Sequence, residues 1–164
     1  MKKRVFLAAG IAVLSTAVLA ACSSGNGNKE ATKPVTYAYV FSSDPATLDY
    51  TVSSTKGTKQ ITGNVIDGLL ENDQYGNLVP SVAEDWTVSK DGLTYTYKIR
   101  QGIKWYTNEG EEYGEVKAQD FVTGLKHAAD KKSQALYLVQ DSIKGLDDYV
   151  NGKTTDFSTV GVKA

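Results

Sequence analysis

The chain has one cysteine and one histidine among 164 residues. A single cysteine excludes an intramolecular disulfide. With one histidine and no second thiol, no Cys/His zinc set can be built. His127 stands between Lys126 and Ala128 in a helix-forming stretch, where a surface or boundary role is the ordinary reading. No Ser/His/Cys arrangement marks a nucleophile, and no glycine-rich phosphate loop is present. Glu109, Glu111 and Glu112 cluster, as do Asp147 and Asp148; acidic groups in polar surroundings read as solvated faces rather than a calcium site. No catalytic residue, metal or cofactor is therefore expected, and an enzyme is the least favoured class. Basic residues number 18 against 19 acidic, which gives no basic footprint for nucleic acid. No apolar run reaches the roughly 20 residues of a membrane-spanning helix.

What is present begins at the amino terminus. Lys2, Lys3 and Arg4 precede an apolar run from Val5 to Ala21, interrupted by Gly10, Ser15 and Thr16. A positive start, a short apolar core and small residues before a cut describe a secretory signal. The run ends Leu19-Ala20-Ala21-Cys22, which resembles the lipobox of bacterial lipoproteins. In that family the cysteine sulfur carries a diacylglycerol. The resemblance implies a signal over residues 1–21, lipidation at Cys22, and a membrane held through that lipid. An ordinary signal peptide followed by an incidental cysteine is the alternative. Residues 22–34 begin Cys-Ser-Ser-Gly-Asn-Gly-Asn. They are small and polar and read as a flexible tether.

Residues 35–164 carry the folded pattern. Val35–Phe41 is β-branched and aromatic and reads as a strand ended by Ser42-Ser43-Asp44-Pro45. Ile61, Val65, Ile66, Leu69 and Leu70 predict an amphipathic helix over Thr58–Leu70, weakened by Gly63 and Gly68. Asn72–Asn77 is a turn, and Ser81–Asp85 reads as one helical turn. Trp86–Ser89 and Leu93–Ile99 read as strands joined at Lys90-Asp91-Gly92, since Asp-Gly favours a tight hairpin. Leu93, Tyr95, Tyr97 and Ile99 alternate onto one face, as in a half-buried strand. Ile103–Tyr106 extends the sheet, and Thr107–Gly114 is a surface loop. Phe121, Val122, Leu125, Ala128 and Ala129 predict a helix over Ala118–Asp130. A second helix is expected over Ser133–Val150, broken near Gly145, and then a strand over Thr159–Val162 that awaits a partner. Ten tyrosines and two tryptophans suit contact with partly polar ligands, although Trp86, Tyr95, Tyr97 and Trp105 are expected to pack the sheet.

The order of these segments has a family likeness. Asp44-Pro-Ala-Thr-Leu-Asp49 precedes Val65-Ile-Asp-Gly-Leu-Leu-Glu71 and Gly76-Asn-Leu-Val-Pro-Ser-Val-Ala-Glu-Asp-Trp86. Asp91-Gly-Leu-Thr-Tyr-Thr-Tyr-Lys-Ile-Arg100, Lys104-Trp105 and Ala118-Gln-Asp-Phe-Val122 follow. Together they resemble the solute-binding lipoproteins of oligopeptide ABC importers. The run from Trp105 to Ala129 is most similar to the streptococcal type. Two departures stand out. Trp105 leads into a longer loop, Tyr106 to Glu115, and Lys117 replaces a threonine that would cap the next helix.

The resemblance implies an α/β chain: the N-terminal part of a two-lobed, type II periplasmic-binding-protein-like fold. Residues 35–164 would supply a first-lobe strand and helix and most of a small extra subdomain. The second lobe, which gives many peptide contacts, would be absent, so this chain alone should lack a closed cleft. The implied function is capture of oligopeptides outside the cell and delivery to an ABC permease, at the extracytoplasmic face of a Gram-positive cell membrane. Such proteins hold peptide largely through backbone hydrogen bonds, like an added strand. Counted from Leu48-Asp49, the segment bordering the peptide falls at Ser54, Thr55 and Lys56; an ordinary polar loop is the other reading. The rival function is a truncated surface lipoprotein acting as an adhesin or signal-peptide sensor. An open reading frame continuing past the Ala164 codon would separate the two.

Overall fold

Three antiparallel hairpins are followed by helices. The computed structural model describes residues 43–164 together with Thr36, Ala38 and Val40. The signal, Cys22 and the tether lie outside the described residues, as does most of the strand expected over Val35–Phe41.

Helix α1 spans Lys56–Thr62 and stops at Gly63. The expected helix was longer. Glycine costs roughly 1 kcal/mol relative to alanine in a helix interior, and Gly63 and Gly68 both fall in the stretch. Asn64, Val65 and Ile66 close the end by donating to the carbonyls of Ile61 and Thr62. The chain then forms its first ladder among the described residues: β1 (Leu70–Asn72) pairs with β2 (Leu78–Pro80), Leu70 facing Pro80. The turn between them is fixed by Asp73, whose carboxylate accepts the N–H groups of Tyr75 and Asn77 at 2.8 and 2.9 Å.

Ser81–Asp85 is not a helical turn. The N–H groups of Val82 and Ala83 donate to the carbonyls of Gly68 and Leu69, and strand β3 runs over Ala83–Val88. It pairs with β4 (Tyr95–Ile99), Trp86 opposite Tyr97. The Asp91-Gly92 turn forms as expected, with Gly92 at φ 73 and the Asp91 carboxylate accepting from the Leu93 N–H at 3.1 Å. On the apolar face Tyr97 and Ile99 are half-buried, but Leu93 and Tyr95 are exposed. Strand β5 (Lys104–Tyr106) pairs with β6 (Glu112–Glu115). The expected surface loop is thus mostly a hairpin: Trp105 faces Gly114, and Lys104 meets Glu112 at 3.0 Å.

Helix α2 occupies Ala118–Asp130, as its periodicity predicts. Lys117 offers no side-chain acceptor to its first turn, and Asp120 compensates by accepting the Lys117 N–H at 2.9 Å. The helix expected over Ser133–Val150 is discontinuous. A 3₁₀ turn covers Leu136–Leu138 and α3 covers only Leu146–Val150. Gly145 breaks it in the left-handed region at φ 74, and a Cβ there would lie 2.8 Å from the Thr159 carbonyl oxygen. The expected strand at Thr159–Val162 is also absent. Phe157–Thr159 is a 3₁₀ turn, and Val160 is buried with Leu146 and Ala129 as the core. The Gly161 N–H donates to the Lys144 carbonyl at 2.7 Å. This segment packs on what precedes it instead of awaiting a strand.

Candidate functional site

Ser54, Thr55 and Lys56 lie where the loop after Asp44 runs into α1. Ser54 is half-buried, and Thr55 and Lys56 are exposed. Three ties hold this loop. The first is local. Asp49 forms an Asx turn: Oδ1 accepts the Thr51 N–H at 3.1 Å and its hydroxyl at 2.5 Å. The Asp49 carbonyl accepts from Val52 and Ser53. The second tie reaches α2, where His127 Nε2 meets Asp49 Oδ2 at 2.8 Å. The bonds from Thr51 and then His127 hold the Asp49 carboxyl below its ordinary range. Burial, and then the Asp49 charge, pushes the Tyr50 hydroxyl up.

The third tie comes from the chain just after α2. The Gln134 N–H donates to the Val52 carbonyl at 3.0 Å. Gln134 Oε1 accepts the Ser54 N–H at 3.0 Å, with Ser54 Oγ at 3.4 Å. Ser133 Oγ donates to the same Val52 carbonyl at 3.3 Å. Beneath the loop the hydroxyls of Ser53, Thr55 and Thr58 lie 3.0–3.2 Å apart. Buried Thr58 donates to the Thr47 carbonyl at 2.8 Å. The buried hydroxyls of Ser53 and Thr58 are thus both satisfied, which removes the cost of burying them.

Among the described residues, this framework leaves one backbone pair without a partner. Thr55 is extended, at φ −67 and ψ 149. An extended residue turns the carbonyl before it and the N–H after it toward broadly the same side. Among the described residues the Ser54 carbonyl and the Lys56 N–H make no hydrogen bond. The Lys56 N–H is one of the donors that every helix start leaves unpaired. The result is an exposed edge with one acceptor and one donor, suited to pairing with an extended chain. A hollow of about 1060 Å³ lies beside the loop. It is lined by Tyr50, Ile66, Leu69, Ile103, Trp105, Phe121 and Leu125. Its presence explains why most of the α2 apolar stripe is only half-buried. At its rim Trp105 Nε1 donates to Asp120 Oδ2 at 3.0 Å.

Residues 77–162 match the family described as bacterial extracellular solute-binding proteins, family 5 Middle. The chain belongs to the bacterial extracellular solute-binding proteins of family 5. Its similarity extends across the site loop as well. It is 63% identical to the oligopeptide-binding protein AmiA of Streptococcus pneumoniae, over 99% of this chain and 25% of that protein. It is likewise 63% identical to the oligopeptide-binding protein SarA of Streptococcus gordonii, over 100% and 26%. The chain therefore spans about a quarter of the length of these curated relatives. Among solved structures it superposes on Listeria monocytogenes OppA bound to peptide with a TM-score of 0.62. Identity there is 28%, over 71% of this chain and 22% of that one. A periplasmic oligopeptide-binding protein of Borrelia burgdorferi gives 0.63 at 26% identity, over 74% and 24%. The α/β fold of this family-5 chain is thus part of a larger solute-binding fold, as its motif order implies.

Cys22 lies outside the described residues. Ser54, Thr55 and Lys56 are contiguous, but only the backbone of the first and last contributes to the open edge. Asp49, His127, Ser133 and Gln134, which hold that edge, were not among the candidate residues. Asp49-Tyr50-Thr51 carries a local turn signal; Gln134, 80 positions from Ser54, carries none.

Proposed function

We propose that this chain is the N-terminal portion of an oligopeptide-binding component of an ABC importer. It would capture peptides outside the cell and deliver them to a membrane permease. The observation that carries the reading is 63% identity, along nearly the whole chain, to proteins named for oligopeptide binding. The open Ser54/Lys56 edge supports it, because β-addition needs an unpaired carbonyl and N–H and leaves side chains free to vary. Residues 1–21 are a signal, Cys22 carries lipid, residues 22–34 are a tether, and residues 35–164 belong to the binding domain. A lipid anchor on a short tether raises the effective concentration of the domain near its permease. No residue in this account performs catalysis.

Two experiments test the reading. Metabolic labelling with a fatty acid should mark the protein and be lost in Cys22→Ala; label that survives the substitution contradicts lipidation at Cys22. Titration calorimetry with mixed oligopeptides should give saturable binding for the protein at the length of its relatives and little for residues 22–164 alone. Tight binding by residues 22–164 alone would contradict the need for a second lobe.

A further inference from the structure

We infer that Gln134 is a positioning residue that sets the peptide-pairing edge by standing in for one residue of a neighbouring strand. The inference rests on the peptide-binding reading of Ser54 and Lys56. In a parallel ladder, one residue donates its N–H to a carbonyl and accepts, on its own carbonyl, the N–H two residues further along the partner. Gln134 makes this pattern on Val52 and Ser54. Its main-chain N–H reaches the Val52 carbonyl, and its side-chain Oε1 replaces the strand carbonyl at the Ser54 N–H. The next rung of the same edge is the free pair, the Ser54 carbonyl and the Lys56 N–H. Gln134 thus occupies one rung and fixes the peptide unit between Ser53 and Ser54, which adjoins the unit whose Ser54 carbonyl belongs to the next rung.

The chain spends strain to bring Gln134 there. Helix α2 ends with the Ser133 N–H donating to the Ala128 carbonyl and the Lys132 N–H to the Ala129 carbonyl. This is a Schellman ending, whose left-handed position is usually glycine. Here Lys132 takes it, at φ 51, the one non-glycine residue of positive φ among those described. The turn it makes aims Ser133 and Gln134 at the loop. Gln134 itself is exposed, so it adds little to the core and its role lies in the bonds it makes to Val52 and Ser54.

The test uses the intact protein and two substitutions. Gln134→Leu keeps the side chain's bulk without an acceptor, whereas Gln134→Glu keeps an acceptor oxygen. Amide exchange at Ser54 in the peptide-free protein, melting temperature, and affinity for a mixed oligopeptide pool are measured. Gln134→Leu should speed Ser54 exchange, leave the melting temperature near that of the parent, and weaken peptide binding roughly 3- to 10-fold, the size of one lost hydrogen bond. Gln134→Glu should restore both exchange protection and affinity. Unchanged Ser54 exchange in Gln134→Leu overturns the positioning role. Faster exchange with unchanged affinity overturns its connection to peptide. A parent protein that protects Ser54 yet binds no peptide instead overturns the peptide-binding reading itself, and with it the purpose assigned to Gln134.

Discussion

At the scale of single residues, Asp49 is the hub of the site loop. Its carboxyl is held below the ordinary range by Thr51 and then His127. A depressed carboxyl contributes stability that is fully present above its unfolded value and is lost as pH falls through the folded one. Urea midpoints measured from neutral pH downward should therefore drop more steeply for the parent than for Asp49→Asn, and converge in the acid range. Both partners are over a third exposed, His127 at 43% and Asp49 at 36%, so the difference is small. Parallel curves would show that the bridge contributes nothing. Lys132 gives a clearer signal. A non-glycine residue in the left-handed region costs roughly 1–2 kcal/mol, and glycine relieves that cost while losing some backbone entropy. Lys132→Gly should raise stability by up to about 1 kcal/mol in denaturant melts, and a loss would mean that the lysine side chain compensates. Little of this was legible in the sequence. Asp49 and Thr51 are close enough for a turn pattern to be read, but His127 and Gln134 meet the loop from about 80 positions away, and no periodicity encodes such a meeting.

At the scale of elements, the sequence predicts α2 with its boundaries because a long apolar stripe dominates its local choices. The Asp91-Gly92 hairpin was read for a similar reason, since a turn that wants positive φ names its own residue. The structure departs from the sequence pattern where long-range partners win. The expected helix over Thr58–Leu70 stops at Thr62, and the Gly68 and Leu69 carbonyls instead accept from Val82 and Ala83, which draws Ala83–Asp85 into strand β3. Gly145 decides the end of the chain: it lets α3 approach Thr159 closely enough to seat Val160 against Leu146. Gly145→Ala should destabilise the fold by at least about 1–3 kcal/mol, read as a lowered denaturation midpoint. A neutral effect would mean that the Thr159 carbonyl can retreat.

At the scale of the whole molecule, the family was legible from the order of its motifs, which matches a quarter of relatives several times longer. The candidate position at Ser54–Lys56 comes from that likeness, but the physical reason proposed for it does not. Sequence cannot tell which backbone groups a fold leaves unpaired, and the proposed edge is one carbonyl and one N–H. The hollow beside α2 and the exposed Leu93 and Tyr95 are likewise products of packing, invisible in an alternating pattern that predicts burial for all four residues of that face. In the proposed function, peptide adds as a strand at the Ser54/Lys56 edge. The direct measurement is residue-resolved amide exchange in the intact protein, with and without saturating mixed oligopeptide. The Lys56 amide, unpaired among the described residues, should become protected when peptide binds. Saturating binding with Lys56 exchange unchanged would contradict it.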